Sequence, residues 1–148
     1  NGMFAFAIYN KQNKELFLAR DQFGIKPLYY STQGNSFVFG SEIKALLKHP
    51  HVDAKVNQNS LYEYLTFQMV LNEETLFDGI NKLEPASYII LREGKLIEKE
   101  TYWTIDYTID NSKTEKEYED ELFELIKDSI SIQTMAILNL NREKKLEV

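Results

Sequence analysis

Two short stretches concentrate the side chains that could do chemistry. Arg20 and Asp21 stand side by side, followed by Gly24, Lys26 and Pro27, and Ser41 and Glu42 form a second polar pair further along. A charge taken out of water needs a partner. The expectation is therefore that Arg20 pairs with Asp21 or Glu42 and pins strand ends, while Ser41 caps a helix. The two histidines, His49 and His51, flank Pro50 in a polar connection with no further ligand at workable spacing, so they read as surface-loop residues and no metal site is assigned. The chain has no cysteine, which removes disulfides, thiolate metal sites and a thiol nucleophile together. From the residues alone, no catalytic and no substrate-binding side chain is assigned.

The elements around these pairs follow from their patterns. Phe17, Ala19, Leu28 and Tyr30 alternate on either side of the charged stretch, so it reads as a hairpin corner between two strands. Gly24 permits a backbone angle that a Cβ resists, and Pro27 fixes its own φ while pushing Lys26 towards an extended conformation. Phe4 to Tyr9 is apolar at every position, as in a strand with both faces buried. Asn10 to Asn13 turns it and Glu15 to Ala19 pairs back. Leu28 to Ser31 and Ser36 to Gly40 complete an expected meander of four antiparallel strands. A helix follows on Ile43, Leu46 and Leu47, closed by Pro50. A second starts at Asn57 or Asn59 and runs to Met69 or Val70, with Leu61, Tyr64 and Leu65 as its core stripe. Ser87 to Leu91 and Lys95 to Lys99 form a hairpin about Arg92-Glu93-Gly94, with Gly94 at the positive-φ position. Thr114-x-x-Glu117 is a capping box that opens a helix with Tyr118, Leu122, Leu125 and Ile126 on one face. The stretch from Thr134 onward is helical in composition and carries Arg142-Glu143-Lys144-Lys145.

Composition bounds the class. Hydrophobic residues make up 43% and aromatics 13% of 148 residues, enough for a real core and against disorder. The net charge of −6 argues against a nucleic-acid backbone as partner. No run reaches the length of a membrane span, and no membrane partner is expected. The chain opens on Asn1 directly before a strand, which reads as a piece of a longer product.

The stretch Ala19-Arg20-Asp21-Gln22-Phe23-Gly24-Ile25-Lys26-Pro27-Leu28-Tyr29-Tyr30 resembles a signature of the glutamine-hydrolysing asparagine synthetases. Asn1 to Tyr9, Phe39-Gly40-Ser41-Glu42-Ile43-Lys44-Ala45-Leu46-Leu47, Thr75-Leu76-Phe77 with Gly79-Ile80, Leu83-Glu84-Pro85, and Tyr102-Trp103 continue the likeness in order and spacing. It covers about residues 1 to 133. Departures are Asn10 where the family commonly has Asp, Gln22 where it has Arg, and Leu83-Glu84-Pro85-Ala86-Ser87 in place of Leu-Pro-Pro-Gly-His.

The resemblance implies an α+β fold, part of an N-terminal-nucleophile-hydrolase-like αββα sandwich. It implies a class II amidotransferase domain in which an N-terminal cysteine, its own α-amino group acting as base, hydrolyses glutamine. A synthetase domain then couples the ammonia to aspartate activated by ATP with Mg. By resemblance, the arginine, Asn-Gly pair and acidic residue that hold glutamine lie upstream, and the Ser-Gly-Gly-x-Asp-Ser loop for pyrophosphate is absent. The expected map is residues 1–104 for the C-terminal part of the amidotransferase domain, 105–112 for a linker, 113–133 for the first helix of the synthetase domain, and 134–148 for a tail departing from the family. Arg20, Asp21, Gly24, Pro27, Ser41 and Glu42 are then motif residues, either structural or standing behind the glutamine pocket. The implied partners are glutamine, aspartate and ATP, with cytoplasmic localisation and a homodimer compatible with the full-length protein. The chain alone is expected to be inactive and, as part of a sandwich with an open apolar face, prone to aggregate. Two alternatives stand beside this reading: a non-catalytic remnant or binding module, and a related amidotransferase serving another acceptor.

Overall fold

The structure is a computed structural model that describes residues 2–143, with side chains through residue 134. The chain divides into two compact units, Asn1–Ile105 and Asp106–Val148. Seven strands, three α-helices and one short 3-10 helix (Gln33–Asn35) are formed by the described residues. Mixed helices and wholly antiparallel sheets make the fold α+β.

In the first unit, β1 (Ala5–Asn10) and β2 (Glu15–Arg20) form a hairpin, as do β6 (Ser87–Arg92) and β7 (Lys95–Thr101). The two hairpins join through β2 and β6 into one sheet of order β1-β2-β6-β7. Glu93 and Gly94, at φ 50° and 79°, make the tight turn of the second hairpin, where two positive φ values match the strand twist. Between the hairpins, β3 (Tyr29–Ser31), β4 (Val38–Gly40) and β5 (Ile80–Lys82) form a second sheet of order β4-β3-β5.

The expected four-strand meander is therefore corrected. The charged corner does not fold β3 back onto β2. It carries the chain from one sheet to the other, because β2 already has β1 on one side and β6 on the other. Likewise β1, apolar at nearly every position, is an edge strand in this sheet: Phe6 is 39% and Ile8 59% exposed.

The two sheets pack face to face. Leu18, Ile89 and Leu91 of the first meet Tyr30 of the second, with Leu28 and Leu83 between. Strand β6 shows the period-two burial this requires, with Ser87, Ile89 and Leu91 buried and Arg92 exposed. The opposite face of the second sheet packs on α1 (Ile43–Leu46): Leu46 is buried with Val52 and Ile80, and Tyr29, Val38 and Ile43 lie against them. The order of layers is sheet, sheet, helix. Burying side chains of this kind is worth about 1.5–3 kcal/mol each.

Helix α2 (Gln58–Phe67) starts where expected: the Asn57 side chain accepts hydrogen bonds from the Asn59 and Ser60 N–H groups. Gln68, at φ 58°, closes it in a left-handed conformation, short of Met69. Its stripe is not core. Leu61, Tyr64 and Leu65 are all exposed, Leu65 by 70%, and the buried residue is Ser60, whose hydroxyl donates to Glu74. Polar anchoring fixes this helix, through Ser60 and through Glu63, which accepts from Leu71 N–H and the Asn72 amide.

In the second unit, α3 (Glu115–Glu143) opens on the capping box. Glu117 N–H donates to Thr114 Oγ1 at 3.4 Å and Thr114 N–H donates to Glu117 Oε2 at 2.7 Å. Tyr118, Leu122, Leu125 and Ile126 are exposed. The helix continues past Thr134 to Glu143, and Lys144 and Lys145 lie outside the described residues.

Ala86 holds φ 53° at the position where the family pattern has glycine. A left-handed backbone costs alanine roughly 1–2 kcal/mol, and glycine returns about 0.4–1 kcal/mol of that as unfolded-chain entropy. Ala86→Gly is expected to stabilise the fold by about 0.5–1 kcal/mol, read as a higher urea midpoint at constant slope.

Candidate functional site

The corner between the sheets gathers Arg20, Asp21, Gly24 and Pro27 into one structure. Asp21 is 2% exposed. Its Oδ1 accepts from Phe23 N–H at 3.2 Å and Ile25 N–H at 3.0 Å. Its Oδ2 accepts from Lys26 N–H at 3.0 Å and Phe4 N–H at 3.3 Å. The chain can wrap the carboxylate this way because Gly24 adopts φ 63° and the Gly24 N–H closes the turn onto the Asp21 carbonyl at 3.0 Å. The same carbonyl accepts from Ala86 N–H at 2.8 Å, which brings the start of β6 to the corner. Desolvation pushes the Asp21 carboxyl up, but the hydrogen bonds from Lys26, Ile25, Phe23 and Phe4 N–H together outweigh it and hold the group below the usual carboxylate range.

Arg20 takes different partners from those expected. Each arm of its guanidinium donates to a carbonyl: Nε to Lys26 at 2.8 Å, Nη2 to Gly24 at 2.6 Å and Nη1 to Leu83 at 2.5 Å. Ion pairing with Asp21 or Glu42 is replaced by this carbonyl cradle, because the Asp21 oxygens are already turned towards backbone N–H groups. Burial pushes the guanidinium below its ordinary value, and the nearby Asp21 charge acts in the opposite direction. Pro27 sets the extended geometry that presents the Lys26 carbonyl to Nε. A methyl group added at Gly24 would sit 2.9 Å from Arg20 Cζ and 3.0 Å from Pro85 Cγ, so glycine is needed for space as well as for φ.

Ser41 and Glu42 do not join this cluster. Glu42, not Ser41, occupies the cap position of α1, at φ −137° and without a side-chain cap. Its carboxylate pairs with Lys44 at 2.6 Å on the surface. Ser41 stands one residue before the cap position and does not cap this one-turn helix.

The sequence marks Tyr102 and Trp103 as a motif but not their partners, and it marks neither Lys99 with Glu73 nor Tyr88 with Glu98. Tyr102 Oη donates to the Arg20 carbonyl at 2.7 Å, and Trp103 meets the Phe23 ring edge-on at 5.5 Å between centroids. Lys99 of β7 donates to Glu73, which also accepts from Tyr30 Oη of β3 at 3.3 Å, so one carboxylate ties both sheets. On the outer face of the first sheet, Tyr88 donates to Glu98, whose hydrogen bond pushes the phenol up to about 12. Each of these pairs spans 10 or more residues, and no local pattern announces it.

The corner and both sheets lie within a stretch that matches one family. The glutamine amidotransferase domain matches residues 1–103. The chain belongs to this family. Among its relatives, an asparagine synthetase [glutamine-hydrolyzing] 3 of Bacillus subtilis is 39% identical over 108 residues, 72% of this chain and 17% of the relative. The asparagine synthetase [glutamine-hydrolyzing] 1 of the same organism is 37% identical over 129 residues, 87% of this chain and 20% of the relative. An amidase chry2 of Gibberella zeae is 30% identical over 129 residues, 87% of this chain and 18% of that protein. The amidotransferase chain thus spans about a fifth of the length of these relatives. No helix among the described residues is long and apolar enough to cross a membrane.

Proposed function

We propose that this chain is part of a glutamine-dependent asparagine synthetase, within whose amidotransferase domain glutamine is hydrolysed to supply ammonia to ATP-activated aspartate. The observation that carries the reading is the family match over residues 1–103 together with relatives that bear the asparagine synthetase name. The corner then serves as scaffold behind the glutamine pocket. It fixes the start of β1 through Phe4 and the start of β6 through Ala86, the two ends where the sheet edge would meet a ligand.

The N-terminal-nucleophile-hydrolase architecture is part of the same proposal. Its support is the sheet–sheet–helix order, with an outer face on the first sheet formed by Phe6, Ile8, Phe17 and Tyr88. A second helix layer would cover that face and complete αββα. ATP and Mg belong to the proposed synthetase half. The described residues do not fit them: no group of three or more His, Asp or Glu is placed to hold a metal ion, and the sequence lacks a Ser-Gly-Gly-x-Asp-Ser loop. No step here is routed through either.

The similarity to an amidase favours one other reading, an amidotransferase that serves a different acceptor. Expression of the complete gene product with its flanking segments separates the two. Asparagine formed from aspartate, ATP and glutamine supports the first reading. Glutamine hydrolysis without asparagine supports the second, and neither activity defeats both. The 148-residue chain alone is expected to release no ammonia from glutamine above a buffer blank, because it carries no thiol nucleophile.

A further inference from the structure

We propose that Tyr102 and Trp103 are positioning residues for the glutamine site: a latch that holds the Asp21–Lys26 corner from the point where the chain leaves β7. The inference rests on the reading that this corner stands behind the glutamine pocket.

Three contacts converge. Tyr102 N–H donates to the Ala86 carbonyl at 2.8 Å, and Ala86 N–H donates to the Asp21 carbonyl at 2.8 Å, so a chain of backbone bonds runs from the β7 exit to the corner. Tyr102 Oη reaches past it to the Arg20 carbonyl at 2.7 Å. The Trp103 indole meets the Phe23 ring edge-on at 5.5 Å between centroids, a favourable geometry for an aromatic pair. Even with Trp103 in place Phe23 and Ile25 are 67% and 56% exposed, so the tip of the corner has little apolar packing to hold it.

The nest of N–H groups around Asp21 orders the corner from inside. The latch orders it from outside, and Tyr102 lies 82 positions from Arg20 in sequence. Tyr102 and Trp103 are 41% and 38% exposed, and among the described residues their hydrogen bonds and ring contacts go to the corner and to Ala86.

The test is amide exchange in the full 148-residue chain. In Tyr102→Phe, which removes only the hydroxyl, the Phe23, Ile25 and Lys26 amides are expected to exchange about five- to tenfold faster, the equivalent of one hydrogen bond. The Leu18 and Ile89 amides in the core keep their rates. Trp103→Ala is expected to add to the effect at Phe23. Unchanged corner rates, or equal acceleration of corner and core, overturn the latch. The second arm places residues 1–105 within a full-length asparagine synthetase. There Tyr102→Phe is expected to raise KM for glutamine about threefold to tenfold with kcat for ammonia-dependent synthesis unchanged. A loosened corner with an unmoved KM overturns the placement of the corner behind the pocket, and with it the positioning role, while leaving the mechanical latch in place.

Discussion

Asp21→Ala is expected to lower the stability of the amidotransferase unit by about 4 kcal/mol, the largest single-residue effect in the chain. Four backbone N–H groups lose their acceptor at once. A buried donor left unpaired costs about 1–3 kcal/mol, and part of the loss is recovered where the corner opens to water. Against a typical domain stability of about 5–15 kcal/mol this removes a large share. Asp21→Asn should do little better. Whichever oxygen becomes an amide nitrogen then points two hydrogens at two N–H donors, since each oxygen accepts from two. Urea unfolding of both variants, compared at equal slope, checks the size.

The same residue makes stability depend on acid. Its folded carboxyl titrates below its unfolded value, so the stabilisation is complete above the unfolded value near pH 4 and is lost as pH falls through the lower, folded value. Wild-type stability should therefore decline below about pH 4 more steeply than that of Asp21→Ala. Parallel curves for the two proteins would contradict an ionised, hydrogen-bonded carboxylate at this position.

Arg20→Ala is expected to cost about 3 kcal/mol, second only to Asp21. Three carbonyls, of Gly24, Lys26 and Leu83, lose charge-assisted donors. The Leu83 bond matters most for architecture because it spans 63 residues and joins the corner to the segment entering β6. Arg20→Lys should recover less than half of the loss, since one ammonium cannot reach three carbonyls set around a planar fork. Thermal melting of the two variants measures the difference. The Arg20 and Asp21 effects are expected to fall short of additive in the double variant, because both act on the loop from Phe23 to Lys26.

What could be read from the residues followed locality. The three hairpins, the Asn57 cap and the Thr114–Glu117 capping box are set within a few residues, and their chemistry is visible in the sequence. Strand β5, Ile80-Asn81-Lys82, has a single apolar residue and no periodicity; it is a strand because β3 offers it an edge. The partners of Arg20 are carbonyls, which every residue has, so composition could suggest a carboxylate and never a carbonyl. The Leu61–Leu65 stripe has the spacing of a core face, yet polar anchors at Ser60 and Glu63 turn it outward. The adjacency of Arg20 and Asp21 was legible as a motif. Its geometry depended on Phe4, on Leu83 and Ala86, and on Tyr102, brought from three places in the chain.

The interleaved order of strands also sets a timetable for synthesis. The hairpin of β1 and β2 leaves the ribosome with its β2 flank bare, and the strand that will zip onto that flank, β6, begins at Ser87. At about 5–20 residues per second, the vacant flank waits roughly 3–13 seconds while the whole inner sheet is made and collapses beside it. A chaperone that shields nascent chains would find its main client in that interval, and slowing translation between the codons for Arg20 and Ser87 should reduce the yield of folded protein more than slowing it anywhere later.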